Sequence, residues 1–147
     1  MVRSTMEYCG AIWDPFLQKD VNALERVQRR GARFVRNKYL QTESVTKLLE
    51  ELGWEDLAKR RLNSRLTIIY KIMNGHVAVP AEDLYITRSH QRTRATNNAK
   101  LQTIRATTRE YQHATIPRTI PHWNRLPQAA IDANNTTEFK AVISSYQ

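Results

Sequence analysis

Hydrophobic residues recur at helical spacing through the first half of the chain and lose that rhythm in the second. Residues 4–13 mix small, apolar and aromatic types and stop at Asp14-Pro15, where the proline disfavours helical geometry in the residue before it, so a short helix is expected there. The next segment, VNALERVQRRGARFVR over residues 21–36, separates its residues by face. With about 100° per residue and Arg26 at zero, Arg29, Arg30, Arg33 and Arg36 fall between roughly −80° and +40°. Val21, Leu24, Val27, Gly31, Phe34 and Val35 fall between roughly 80° and 220°, the stripe expected to be buried. Asp20 is placed to cap this helix with its carboxylate. Gly31 costs about 1 kcal/mol relative to alanine inside a helix, and its place on the apolar face predicts close approach of a neighbouring helix.

Ser44 is a suitable cap for SVTKLLEEL, with Gly53 at the left-handed terminal position. Residues 54–73 then read as the longest helix, with Ala58, Leu62, Leu66, Ile69 and Met73 as its core stripe and Asn74-Gly75 as its end. Residues 77–79 are at most a short extended piece. From 87 to 108 threonine, arginine, asparagine and glutamine dominate, too polar a mixture to offset chain entropy, and a flexible basic loop is expected. Ile116, Ile120, Trp123 and Leu126, interleaved with Pro117, Pro121 and Pro127, predict an irregular strap laid on the helical body, its Trp123 indole buried. Thr136 is positioned to cap a last helix presenting Phe139, Val142 and Ile143. The expected fold is therefore mainly α: a bundle of about four helices in residues 4–75, then the basic loop, the proline and tryptophan strap and a short C-terminal helix. Its organisation reads as a helical domain over 1–80, a flexible loop over 81–110, and a strap plus helix over 111–147 that packs on the helical domain.

Charge sharpens this picture. The 147 residues carry a formal charge of +9, which is high for the size and favours a polyanionic partner. The charge is also clustered: residues 19–38 hold seven basic and two acidic side chains, and residues 88–109 hold six basic and no acidic ones. With Cys9 the only cysteine, neither an internal disulfide nor a cysteine-based zinc site can form. The opening residues lack the apolar core of a signal peptide, and no run approaches the roughly 20 apolar residues needed to span a bilayer. The expectation is a soluble protein of the cytosol or nucleus, with no membrane partner.

The residue inventory argues against catalysis. Asp14, Asp20, Asp56, Asp83 and Asp132 are scattered, without a pattern that would gather two metals. His76, His90, His113 and His122 lack metal-ligand spacing, the four glycines stand alone, and no activated nucleophile suggests itself. No cofactor is expected. Binding chemistry centres instead on Arg26, Arg29, Arg30, Arg33 and Arg36, with Lys38 beyond them, because guanidinium groups one helical turn apart match successive phosphates along a strand. A weaker candidate is the helix pair joined at Gly53-Trp54. It has the short glycine turn of a helix-turn-helix reader, and Lys59, Arg60, Arg61 and Arg65 give its second helix a basic start. Arg92 and Arg94 in RSHQRTRATNNAK are candidates for loose phosphate contacts.

Three blocks carry a resemblance. MEYCGAIWDPFLQKDVNALERVQRRGARFV resembles the start of the thumb region in reverse transcriptases of non-LTR (LINE-type) retrotransposons, especially jockey-like lineages. SVTKLLEELGWEDLAKRRLNSRLTIIYKIMNG and RTIPHWNRLPQAAIDANNTTEFKAVI resemble the rest of that carboxy-terminal region, in the same order and over nearly the full chain. The resemblance implies a helical module that follows the palm of an RNA-directed DNA polymerase and grips the template-primer duplex. It implies that the arginines of ERVQRRGARFVR face nucleic acid while Trp13, Leu24, Val27 and Phe34 are core. The family's fingers, palm and paired-aspartate motif have no counterpart here, so polymerase activity is not expected of this chain alone. Met1 stands where the longer protein would be continuing, which suggests a truncated element, a gene-model fragment or a repurposed remnant. The expected partners are RNA, DNA or an RNA–DNA hybrid, together with a polymerase body in the intact parent. The alternative is a helical scaffold whose basic face docks an acidic protein.

Overall fold

The computed structural model describes residues 7–38, 44–89 and 97–146, and it is mainly helical. Seven α-helices run in order among the described residues: α1 (Gln18–Arg36), α2 (Val45–Glu51), α3 (Leu57–Met73), α4 (Arg109–Gln112), α5 (Thr115–Trp123), α6 (Gln128–Ile131) and α7 (Thr136–Tyr146). The described residues contain no strand beyond one isolated antiparallel bridge between Arg88 and Leu101. The chain divides into two compact units, Met1–Arg61 and Leu62–Gln147, so the division falls within α3.

In the first unit the helix expected over residues 4–13 is limited, in its described part, to Glu7. Residues 8–12 are turns, with Cys9 left-handed and the Trp13 indole donating to the Tyr8 carbonyl at 2.6 Å. Pro15 separates this coil from α1, whose N-cap is Leu17 without a side-chain cap bond. Asp20 is therefore not the cap. It sits in the first turn, where its charge still favours the positive end of the helix. At the other end Asn37 adopts φ 51°, which lets the Asn37 and Lys38 N–H groups reach the Phe34 and Arg33 carbonyls. The α2 helix ends in the same way at Gly53, with φ +60°, where Trp54 N–H donates to the Leu49 carbonyl at 2.8 Å.

The buried face of α1 is not the expected one. Gln28 and Ala32 are its buried residues, whereas Val27, Phe34 and Val35 are 40%, 73% and 56% exposed. On the wheel used above, burial is centred roughly 70° away from the middle of the apolar stripe. Small Ala32 permits close packing, and Gln28 satisfies its amide in place: Nε2 donates to the Glu55 carbonyl at 3.0 Å, while Oε1 accepts from Arg60 at 2.6 Å. Gly31 faces the Trp54 ring, which a Cβ would meet at an ordinary 3.8 Å, so no helix backbone approaches it closely. Leu48, Leu49 and Leu57 complete the apolar interior of this unit.

The second unit is built on Leu66, Ile69, Tyr70 and Ile72 of α3. Of the stripe expected along this helix, Leu66 and Ile69 are buried, Leu62 and Met73 half-buried and Ala58 exposed. Tyr70 stacks on Phe139 of α7 at 4.4 Å between ring centroids, and its hydroxyl donates to the Ala133 carbonyl at 2.6 Å. Residues 77–79 are exposed bends.

The expected strap is a helix. Pro117 lies in the first turn of α5, where its missing N–H would have had no helical partner, and Pro121 is accommodated inside the helix. Trp123 is buried at 2% exposure, and its indole N–H donates to the Ala99 carbonyl at 2.9 Å. The same contact corrects the expectation of a flexible loop over 87–108, of which 90–96 lie outside the described residues. Asn97 is buried and donates to the Trp123 and Leu126 carbonyls, and Asn124 exchanges two hydrogen bonds with the backbone of Leu101. Side-chain amides here supply the pairing that a neighbouring strand would otherwise provide, which is why a polar sequence is held in place. Asn135, and not Thr136, caps α7: its Oδ1 accepts from Glu138 N–H at 2.8 Å.

Candidate nucleic-acid interface

The arginines of α1 divide into two groups. Arg26, Arg29 and Arg30 are exposed and Arg33 half-buried, and among the described residues none of the four makes an ion pair or a side-chain hydrogen bond. Positions 26 to 33 cover about 10 Å of helix at 1.5 Å per residue. Residues 26, 30 and 33 mark successive turns, so the four charges lie on one side within roughly 100° of arc. They point away from the buried Gln28 and Ala32. Arg36 belongs to the second group. Its Nη2 donates to the Glu51 carbonyl at 3.3 Å and lies 3.6 Å from that residue's carboxylate, so it closes α1 against α2. Lys38, just past the helix, is exposed.

The nearest carboxylate on α1 is accounted for. Glu25 Oε1 accepts from the Ala58 N–H at 3.2 Å, satisfying one of the unpaired donors at the start of α3. Beside it an open groove of about 350 Å³ is lined by Arg26 and Arg29 together with Glu25 and Asp56. Arg30 and Arg33 lie outside this groove and its two acidic groups.

The basic start of α3 has a different role from the one expected. Lys59 pairs with Glu55 at 3.4 Å. Arg60 is ion-paired with Glu7 and donates to buried Gln28. Arg61 is 3% exposed, its Nη1 lies 3.4 Å from Asp14 Oδ1, and its guanidinium carbon stands 4.0 Å from the centroid of the Trp13 ring. Arg65 is 4% exposed. A recognition helix must present its first turns to a groove. Here Arg60, Arg61 and Arg65 are held within the protein, so these residues are removed from the phosphate-facing set. Spacing alone could not separate them from surface arginines; Glu7 and Gln28 at Arg60, and Asp14 and Trp13 at Arg61, all distant in the chain, make the difference. Arg92 and Arg94 lie outside the described residues.

Phe34 was missed by sequence reasoning. Expected in the core, it stands 73% exposed, one turn beyond Arg30 and next to Arg33. Trp13, also expected in the core, is 43% exposed. In the second unit His122 is half-buried, and burial, followed by the charges of Arg65, Arg125 and Arg118, lowers its pKa from the ordinary 6.5. Among the described residues no group of His, Cys, Asp or Glu side chains is arranged to hold a metal ion, and no helix is long and apolar enough to cross a membrane. Comparison with protein-family models, with curated proteins and with solved structures finds no match.

Proposed function

We propose that the chain is a non-catalytic nucleic-acid-binding module that holds the phosphate backbone of RNA, DNA or an RNA–DNA hybrid through Arg26, Arg29, Arg30 and Arg33. The observation that carries this reading is the row of guanidinium groups on α1 without partners among the described residues. A structural arginine is normally ion-paired within the fold, as Arg36, Arg60 and Arg61 are. Planar guanidinium donors suit phosphate oxygens, and the +9 net charge draws a polyanion toward them. In this reading the module is a remnant of the thumb and downstream region of a non-LTR retrotransposon reverse transcriptase, and in the intact parent it would also meet a polymerase body.

Backbone contacts give binding that is tolerant of sequence and sensitive to salt. Four phosphate contacts predict a log–log salt slope of about −3.6 on a duplex, or roughly a hundredfold loss of affinity between about 50 and 200 mM salt. The test is fluorescence anisotropy of a labelled RNA–DNA hybrid, titrated with the wild-type chain and with R26Q/R29Q/R30Q/R33Q. The variant is expected to lose both affinity and salt slope. Equal affinity and slope in the two proteins would refute the assignment.

A further inference from the structure

Burial on α1 is turned away from its apolar stripe, which leaves Val27, Phe34 and Val35 exposed, with Val27 and Phe34 on the flank next to Arg30. A surface Phe at 73% exposure is unfavourable in water unless something covers it, since burying such a side chain is worth about 1.5–3 kcal/mol. Phe34 follows Arg30 by four residues, so their Cβ atoms are separated by one helical turn, about 5–6 Å. Arg33 precedes it directly and Val27 lies two turns back on the same flank. A cation for the phosphate and an apolar aromatic surface for the base are therefore adjacent on one face.

A duplex makes little use of this arrangement. Its bases are stacked and paired inside, and only phosphates and groove edges meet the ridge. An unpaired strand offers both of its surfaces: phosphates to the arginines and the flat faces of the bases to an aromatic ring, with any base accepted because each has a π face. We infer that the α1 face binds single-stranded nucleic acid, with a base stacked on Phe34 and the flanking phosphates held by Arg30 and Arg33. This rests on the nucleic-acid reading above and specifies its substrate class. The occupant is a polynucleotide and not an acidic protein, because the four cations carry the charge complementary to an unpaired strand's phosphates and the ring on the flank beside Arg30 suits its bases.

The test compares three twelve-nucleotide probes by anisotropy: a single strand of uridines, an abasic strand with the same number of phosphates, and an RNA–DNA hybrid. Phe34→Leu keeps apolar bulk and removes the ring; Phe34→Trp keeps a ring. Stacking of one base predicts that Phe34→Leu weakens uridine binding by about five- to a hundredfold. Abasic and hybrid binding should change less than about twofold, the salt slope should be unaltered, and Phe34→Trp should restore uridine binding. If Phe34→Leu binds uridines like wild type, or loses all three probes equally, the stacking assignment is overturned and the exposed flank belongs to a protein surface. Failure of the underlying reading looks different: the wild-type chain then binds none of the probes, or binds them without dependence on the arginines.

Discussion

Arg61 offers the sharpest separation between an arginine that holds the fold and one that faces a ligand. Its side chain is 4% exposed and that of Asp14 8%, their closest atoms are 3.4 Å apart, and the guanidinium lies over Trp13. Removing one partner of a buried ion pair typically costs about 3–5 kcal/mol, because the remaining charge stays desolvated. The 3.4 Å separation is long for a charge-assisted bond, which places this pair at the lower end, near about 3 kcal/mol. Arg61→Met keeps volume and loses charge, leaving the Asp14 carboxylate without this cation. Asp14→Asn removes this anion from beside the guanidinium. The double variant removes both charges from the interior and should recover much of the loss, since replacing a buried pair with groups of similar volume is often neutral.

Urea unfolding followed by far-UV circular dichroism would give the three changes and the coupling between the sites. The expected pattern is a large loss in each single variant, a smaller one in the double, and an unchanged salt slope for nucleic-acid binding wherever the variant remains folded. If Arg61→Met cost less than about 1 kcal/mol and instead flattened the salt slope, Arg61 would belong to the binding surface and the reasoning from burial would be wrong.

Gly31→Ala should raise the urea midpoint, by up to about 1 kcal/mol of stability, because the new methyl meets Trp54 at ordinary contact distance; a lowered midpoint would show that the helix needs glycine there. Asn97→Ala strips the Trp123 and Leu126 carbonyls of a buried donor and should cost about 1–3 kcal/mol, with faster amide hydrogen exchange at Leu101; wild-type exchange would contradict the pinning of this segment. Burial and nearby cations lower the His122 pKa, so the unfolded chain takes up a proton more readily than the folded one. The contribution of the neutral ring is then complete above about pH 6.5 and is lost as pH falls from there through the folded-state value, and His122→Gln should flatten that part of the stability profile. Equal slopes in both proteins would rule it out.

Helix-forming segments were legible because periodicity and terminators act locally. Gly53, Asn74-Gly75 and the arginine ridge of α1 all follow from neighbours within a few residues. The burial of Trp123 was legible for a similar reason, since a large ring among Ile116, Ile120 and Leu126 is covered more often than not. The prolines misled: three within eleven residues argued against a helix, but Pro117 falls in the first turn, where no hydrogen bond is lost. Asn97 and Asn124 misled in the other direction, because an amide reads as solvent-seeking until its backbone partners are known.

Amphipathic order along the chain established that an α1 helix exists and that four of its charges share a side. Which side is buried was settled by contacts far apart in sequence. Gln28 found Glu55 and Arg60, Gly31 met Trp54, and Phe34 was left in water. The same holds for the arginines: composition counts them alike, and only the packing of Asp14, Trp13, Glu7 and Glu51 tells the structural ones from Arg26, Arg29, Arg30 and Arg33. A side chain's charge is a local property, whereas its freedom to meet a ligand depends on every element that folds against it.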